Sequence, residues 1–494
     1  MTMFSENLYL YTILYFAAMT GLSLYGMHRI WLLICWHQER KKILPGTVCH
    51  LPEKMTHFPF VTIQLPLFNE RFVAERLIDA SALIDWPRDR FEIQILDDSD
   101  DDTGEIVDER VNYWSQKGID VKVLRRGERT GYKAGALHYG LQRALGEYIA
   151  IFDADFVPPA EFLQKTIPHF CTDCIGMVQA RWDFLNKDQS WLTRIQSILL
   201  GAHFHIEHWV RFKRGLYFNF NGTAGIWKKE AIVSSGGWED DTVTEDLDLS
   251  YRAQLKGWKF VYLADLCVPS ELPSTIASFR SQQQRWAKGS IQTARKILPR
   301  IIRSNISRRV KIEAGFHLLS NLGWFCGMII TLTLVPAIIL RTEIGPYQML
   351  RIDLPLFIGT TCMLTFFFLV YACHYEGKRS IAYVVLLPFF SIAVAPSIAL
   401  SVMKGIFSWG GPFERTPKFG IDGVQKFPRQ SLAYLNNTSS HLFLTCSLLL
   451  YSLIPFSYAL HRGTWFALPF LALFPAGFLM VILKELSEMN IRTR

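Results

Sequence analysis

The chain has 494 residues, 50% of them apolar and 19% charged, with 36 Phe and 14 Trp, a composition that excludes a disordered or fibrous protein. Lys and Arg outnumber Asp and Glu by 52 to 44, for a net charge of +8, and much of the excess sits in short runs beside apolar stretches: Arg40, Lys41 and Lys42, then Arg300, Arg303, Arg308, Arg309 and Lys311. That placement fits the cytoplasmic face of a membrane protein and argues against a nucleic-acid partner.

The first apolar run, residues 8–36, is long enough to cross a bilayer and has neither a basic leader nor a small-residue cleavage site, so it reads as a retained transmembrane helix even with His28 and Arg29 inside it. No Lys or Arg precedes it and Arg40, Lys41 and Lys42 follow at once, which places residue 1 outside and the chain from residue 40 onward in the cytoplasm. Residues 1–45 therefore form an anchor with its basic flank, residues 46–312 a cytoplasmic domain, and residues 313–494 a second membrane region. The cytoplasmic part alternates strands (61–65, 91–96, 121–124, 148–152) with helices (73–83, 131–145). Such alternation implies a largely parallel α/β sheet with helices on both faces and a ligand site beyond the carboxyl ends of its strands.

Further on, residues 316–340, 354–372, 442–460 and 465–483 read as spans. Residues 381–403 contain Pro388 and Pro396 and precede the basic loop 404–440; a re-entrant or interfacial helix there keeps that loop cytoplasmic, giving five full spans in all. Five of the nine cysteines (Cys35, Cys326, Cys362, Cys373, Cys446) lie in or beside apolar stretches, so reduced thiols are expected rather than a disulfide framework.

The acidic clusters fall at strand ends. Asp153 and Asp155 alternate with Ala154 after residues 148–152, so both can face one crevice as hard oxygen ligands for Mg²⁺ or Mn²⁺ on a diphosphate, or form a solvated turn. Asp97 and Asp98 end another strand, and Asp100 to Asp102 either extend that cluster or cap a helix near Thr103. In Thr244-Glu245-Asp246, Thr244 is a helix N-cap with acids in the first turn, or Asp246 is a general base for a sugar hydroxyl. In Gln282-Gln283-Gln284-Arg285-Trp286, Arg285 suits a departing diphosphate and Trp286 the face of a sugar ring, the alternative being an interfacial anchor. Residues 131–136, with the single Lys133, and the amide-rich run Phe218 to Gly225 offer small residues for close approach of a ligand. His203, His205 and His208 read as packed on a helix, and Cys171-x-x-Cys174 lacks the partners of a zinc site.

Taken in order, Gln64 to Glu70, Asp97-Asp98-Ser99, Gly131 to Ala136, Asp153-Ala154-Asp155, Asn221 to Gly225, Thr244-Glu245-Asp246 and Gln282-x-x-Arg285-Trp286 resemble the processive, membrane-embedded family 2 glycosyltransferases, most closely the cellulose-synthase-like mannan and glucan synthases and their bacterial relatives. The resemblance covers nearly the whole chain. It implies a GT-A type nucleotide-sugar-binding domain beneath an α-helical transmembrane region, a UDP-glucose or GDP-mannose donor, and a β-linked product made with inversion and extruded. By the same likeness Asp98 and Lys133 contact the nucleotide, Asp153 and Asp155 hold the metal on the diphosphate, Glu245 binds substrate beside the base Asp246, and Gln282, Arg285 and Trp286 line the acceptor and pyrophosphate end. Phe413 to Lys418 is loosely similar to the gating loop of cellulose synthases, with Thr416 and Lys418 closing over the nucleotide. The chain ends soon after its last span, so regulation by a cyclic dinucleotide is not expected. A glycolipid synthase transferring one sugar to a membrane lipid is the alternative enzyme reading, and a non-enzymatic scaffold, tolerant of Asp246→Asn, is the other.

Overall fold

The computed structural model describes residues 2–42, 57–412, 415–423 and 439–492. Seven strands form one mixed sheet: β1 (Val61–Leu67), β2 (Phe91–Asp97), β3 (Val121–Leu124), β4 (Tyr148–Ile151), β5 (Ile175–Phe184), β6 (Gly225–Lys228) and β7 (Lys259–Ser270), in the order β3-β2-β1-β4-β6-β5-β7. The first four are mutually parallel, β6 is antiparallel to both β4 and β5, and β5 runs parallel to β7. Val61, Ile63, Leu65, Ile93, Ile95, Ile149 and Ile151 are all fully buried, because helices cover both faces and the strands consequently read as unbroken apolar runs. Strand order reverses between β1 and β4, and the crevice this opens beyond their carboxyl ends receives Asp98, Asp153 and Asp155.

Among the described residues six helices are long and apolar enough to cross a membrane: Leu10–Lys41, Leu322–Glu343, Leu350–Glu376, Lys378–Phe407, His441–His461 and Trp465–Met489. The protein is a membrane protein. Contacts order the bundle from end to end. At the end next to the α/β domain the Trp36 and His374 rings meet at 5.0 Å, and Glu485 and Glu488 reach Arg280 and the Ile276 amide. At the far end Arg341 bonds Tyr15 and Asp353, and Thr342 meets Tyr458.

The helix Ile381–Phe407 differs from the other five. It is continuous through Pro388 and Pro396, so the break of a re-entrant segment is absent. It runs alongside Ile276–Arg303 on the domain side: Glu376, just before it, binds Arg194 at 2.9 Å, Phe390 packs on Phe279, Ser397 accepts from Gln284, and Gly405 and Ser408 accept from Arg295. Both ends thus meet side chains of the α/β domain's helices.

His28 and Arg29, polar residues within the first apolar helix, pair with Glu313 and Glu207 of the domain's helices, and Arg211 bridges Glu207 and Glu313. Buried charges are tolerable only when paired in this way, and the network fixes the anchor to the domain. Among the described residues seven cysteines are free thiols, whereas Cys171 is disulfide-bonded, an exception to the expectation of reduced thiols.

Candidate active site

β1, β2 and β4 deliver the donor side of the site. At the end of β2, Asp97 is buried and bonds Arg125 and the Ser99 amide, whereas Asp98 turns into the crevice and pairs with Arg126. The acids that follow are used structurally: Asp100 bonds Asn69, Asp101 accepts from the Thr103 amide, and Asp102 pairs with Arg71 at 2.6 Å. After β4, Asp153 accepts from Lys133 Nζ at 2.5 Å while its own amide donates to Thr223 Oγ1 at 2.8 Å. Lys133 also donates to the Gly222 carbonyl at 2.9 Å and lies 3.9 Å from Glu245. Asp155 Oδ2 accepts from Lys418 Nζ at 2.8 Å and from the Glu271 amide at 3.1 Å. Each carboxylate of the Asp153-Ala154-Asp155 pair is therefore faced by an ammonium.

Thr244 does not cap the helix Glu245–Leu255 with its side chain; its hydroxyl meets Thr293 at 3.2 Å and ties this helix to Ile276–Arg303. The first turn is thereby free to aim Glu245 and Asp246 into the crevice. Gly222 is in the left-handed region (φ +79°), and a Cβ there would stand 3.0 Å from Asp246 Oδ2, so only glycine leaves that carboxylate its place. Asp246 Oδ1 accepts from the Leu247 amide at 2.8 Å. Burial first, and the adjacent Glu245 carboxylate second, push the Asp246 carboxyl up to about 7. Burial likewise raises Glu245, with Lys133 opposing. At Lys133 desolvation acts downward, but Asp153 and Glu245 outweigh it and hold the ammonium above its ordinary value. Desolvation lowers Arg285, which the carboxylates of Asp153, Glu245 and Asp246 counter.

Two cavities meet at these residues. The smaller, about 170 Å³, is lined by Asp98, Lys133, Asp153, Asp155, Glu245, Arg285 and, from the loop after the helix Ile381–Phe407, Arg415, Thr416 and Lys418. The larger, about 500 Å³, runs among the apolar helices past Met19, Trp324, Phe368 and Phe474. Asn221, Thr244, Asp246, Gln282 and Trp286 line both.

A glycosyl transferase family group 2 profile matches residues 148–395, half of the chain, and a glycosyl transferase family 2 profile matches residues 62–232. The chain belongs to glycosyl transferase family group 2. Among its relatives, glucomannan 4-beta-mannosyltransferase 2 of Arabidopsis thaliana is 48% identical over 254 residues, which are 50% of this chain and 48% of that one; the rice glucomannan 4-beta-mannosyltransferase 1 (Oryza sativa subsp. japonica) is 46% identical over 269 residues, 53% and 51% of the two chains. The match thus spans about half the length of these relatives. Among solved structures, the mannosyltransferase PcManGT from Pyrobaculum calidifontis, in complex with GDP-Man and Mn²⁺, superposes with a TM-score of 0.51 at 19% identity, covering 80% of this chain and 99% of that one. That likeness establishes the GT-A type fold.

Every site residue that the family resemblance singled out lines one or both cavities. Phe413 and Glu414 lie outside the described residues. Sequence reasoning missed Glu271, just after β7, for which the available signal was an acid at a strand end, the rule that found Asp98 and Asp153; Arg415, within the gating-loop likeness, lies 3.6 Å from Glu70. Burial is the leading cause that raises Glu70 to about 8. Of the histidines, His208 is buried between Phe218 and Tyr262, and His205 stacks on Tyr375. Among the described residues three carboxylates, Glu239, Asp241 and Asp248, do converge, but Lys296 Nζ already fills their centre, at 2.5, 2.7 and 3.1 Å.

Proposed function

We propose that this family 2 enzyme is an inverting β-hexosyltransferase that extends a mannan or glucan chain from a nucleotide sugar and passes the product out through its helix bundle. The observation that carries the reading is the meeting of the two cavities at Asp246, a half-buried carboxyl raised to about 7, where a general base works best near neutral pH. Asp98 and Lys133 contact the nucleotide in the smaller cavity. The acceptor enters from the larger one, its terminal ring against Trp286 and its hydroxyls near Gln282.

In the reaction Asp246 accepts the proton of the acceptor hydroxyl as that oxygen attacks the anomeric carbon. The bond from that carbon to the diphosphate breaks on the opposite side, inverting the configuration. Arg285 and Lys133 are placed to hold the charge that develops on the leaving group, and Glu245 keeps Asp246 basic by repelling a second negative charge. Asp153 and Asp155 are the ligands we assign to a divalent cation, Mg²⁺ or Mn²⁺. The donor set fits, since two hard carboxylates one residue apart, each faced by an ammonium, form a site built for positive charge. When bound, that ion supplies Lewis-acid neutralisation of the diphosphate.

The helix contacts support a multi-pass arrangement with five spans, the interfacial helix Ile381–Phe407 and a cytoplasmic catalytic domain, because the basic runs at Arg40 to Lys42 and Arg300 to Lys311 lie at the domain end. The names of the relatives make GDP-mannose the first donor to offer, with UDP-glucose second. Radiolabelled donor given to the purified protein with Mn²⁺ is expected to yield a polymer that a β-mannanase or β-glucanase digests. A single labelled sugar on an organic-extractable lipid would overturn the polymer reading in favour of a glycolipid synthase.

A further inference from the structure

Residues 415–421 cross the mouth of the smaller cavity without belonging to a helix or strand, so whatever seats them must be a specific set of bonds. Three successive amides converge on one side chain: Phe419 N–H donates to Glu271 Oε1 at 3.0 Å, and Gly420 and Ile421 donate to Oε2 at 2.9 and 3.2 Å. Gly420 has φ +69°, and a Cβ there would stand 2.7 Å from the Phe72 carbonyl oxygen. Consecutive amides curled through a left-handed glycine form a nest for an anion, and here the anion is the Glu271 carboxylate, 2% exposed.

The Glu271 backbone completes the arrangement. Its N–H donates to Asp155 Oδ2, and its carbonyl accepts from Lys418 Nζ at 2.7 Å. Once seated, the segment presents the Thr416 hydroxyl to the cavity; this group is buried, at 5% exposure, and its oxygen has no hydrogen-bond partner among the described residues. A buried hydroxyl left open toward a cavity points to a ligand that completes it.

We propose that Glu271 is a positioning residue that latches residues 415–421 over the donor, so that capture of a nucleoside diphosphate sugar depends on its carboxylate. The assignment of the ligand rests on the donor-site reading above; the latch itself does not. Gln at this position keeps one acceptor oxygen and turns an N–H₂ group toward an amide, so it opens the nest. Asp keeps the charge on a shorter arm and restores part of the effect. Gly420→Ala attacks the same contact from the other side and leaves Glu271 intact.

Hydrogen exchange followed by mass spectrometry on the full-length protein in detergent reads the three amides directly. Glu271→Gln is expected to speed exchange of the 415–423 peptide at least tenfold while peptides of β1 and β4 stay unchanged, with Gly420→Ala giving the same result and Glu271→Asp an intermediate one. In turnover assays with GDP-mannose or UDP-glucose the loss in kcat/KM is expected to be carried mainly by a donor KM raised about tenfold. Unchanged exchange in Glu271→Gln and Gly420→Ala would overturn the latch, as would a loss confined to kcat. A wild-type protein that turns over no hexose donor would defeat the donor-site reading, and the exchange result would still decide the latch.

Discussion

Replacing Asp246 by Asn removes the proposed base and changes almost nothing else, because the amide has the carboxylate's shape and can still accept the Leu247 N–H. With the carboxyl raised to about 7, roughly half the wild-type molecules carry the base at pH 7, about 1% at pH 5 and about 90% at pH 8. The wild-type kcat/KM is therefore expected to climb about tenfold per pH unit up to pH 7 and then level off. A positioned base contributes on the order of 10²–10⁴ in rate, so Asp246→Asn should lose at least about 10²-fold in turnover, lack the acidic limb, and bind GDP or UDP within about threefold of wild type. Stability moves the other way. The folded carboxyl titrates above its unfolded value, so the fold favours the protonated form and its ionisation costs stability progressively as pH rises from about 4 to 7. The neutral amide escapes a cost on the order of 2–4 kcal/mol after solvent screening of a group that is not fully buried, and the variant should melt higher at pH 8. Turnover across pH, nucleotide binding by calorimetry and a thermal-shift series on one preparation check all three. Retention of more than a few per cent of activity with the acidic limb intact would refute the base assignment.

Trp286→Ala removes the ring at the junction of the cavities and is expected to shorten the product and raise the acceptor requirement while donor binding stays near wild type, as read by product sizing. Asp155→Asn should shift the Mn²⁺ concentration needed for nucleotide binding upward by tenfold or more, measured by titration with the metal rather than by activity. Glu313→Ala takes the carboxylate from His28 and leaves Arg211 only Glu207, 3.5 Å away, in the protein interior, where breaking a buried pair costs about 3–5 kcal/mol. The variant should lose its monodisperse peak in size-exclusion chromatography or melt many degrees lower, whereas an exposed pair such as Lys165 with Glu161 can be broken within about 1 kcal/mol.

The sequence disclosed the half of the sheet where burial on both faces leaves an unbroken β-branched or aromatic run: the expected 61–65, 91–96, 121–124 and 148–152 became β1 to β4 with shifts of at most two residues. It was silent on β5 to β7. β5 carries Gln179, Arg181 and Asp183 among its apolar residues, β6 is four residues long, and β5 and β7 pair through register shifts, so no clean period survives. Local rules also located the acids but could not assign their work. Asp97 and Asp98 are adjacent and alike in sequence, and only the fold turns one into a structural ion pair with Arg125 and the other into the crevice. Thr244 is a sound N-cap by type, yet its hydroxyl is drawn to Thr293, 49 residues away. The latch at Glu271 joins groups about 150 residues apart, a distance no local pattern reports. The apolar content of residues 381–403 says span or interface with equal force; to this the fold adds that Arg194 bonds Glu376 just before the helix and Arg295 bonds its carboxyl end.

Proteoliposomes test the whole account most directly, with GDP-mannose or UDP-glucose supplied only to the face that carries the catalytic domain. The account predicts a labelled polymer that β-mannanase or β-glucanase reaches only after detergent opens the vesicles, and none at all from Asp246→Asn. A product fully digested without detergent, or extracted with the lipid, would contradict it.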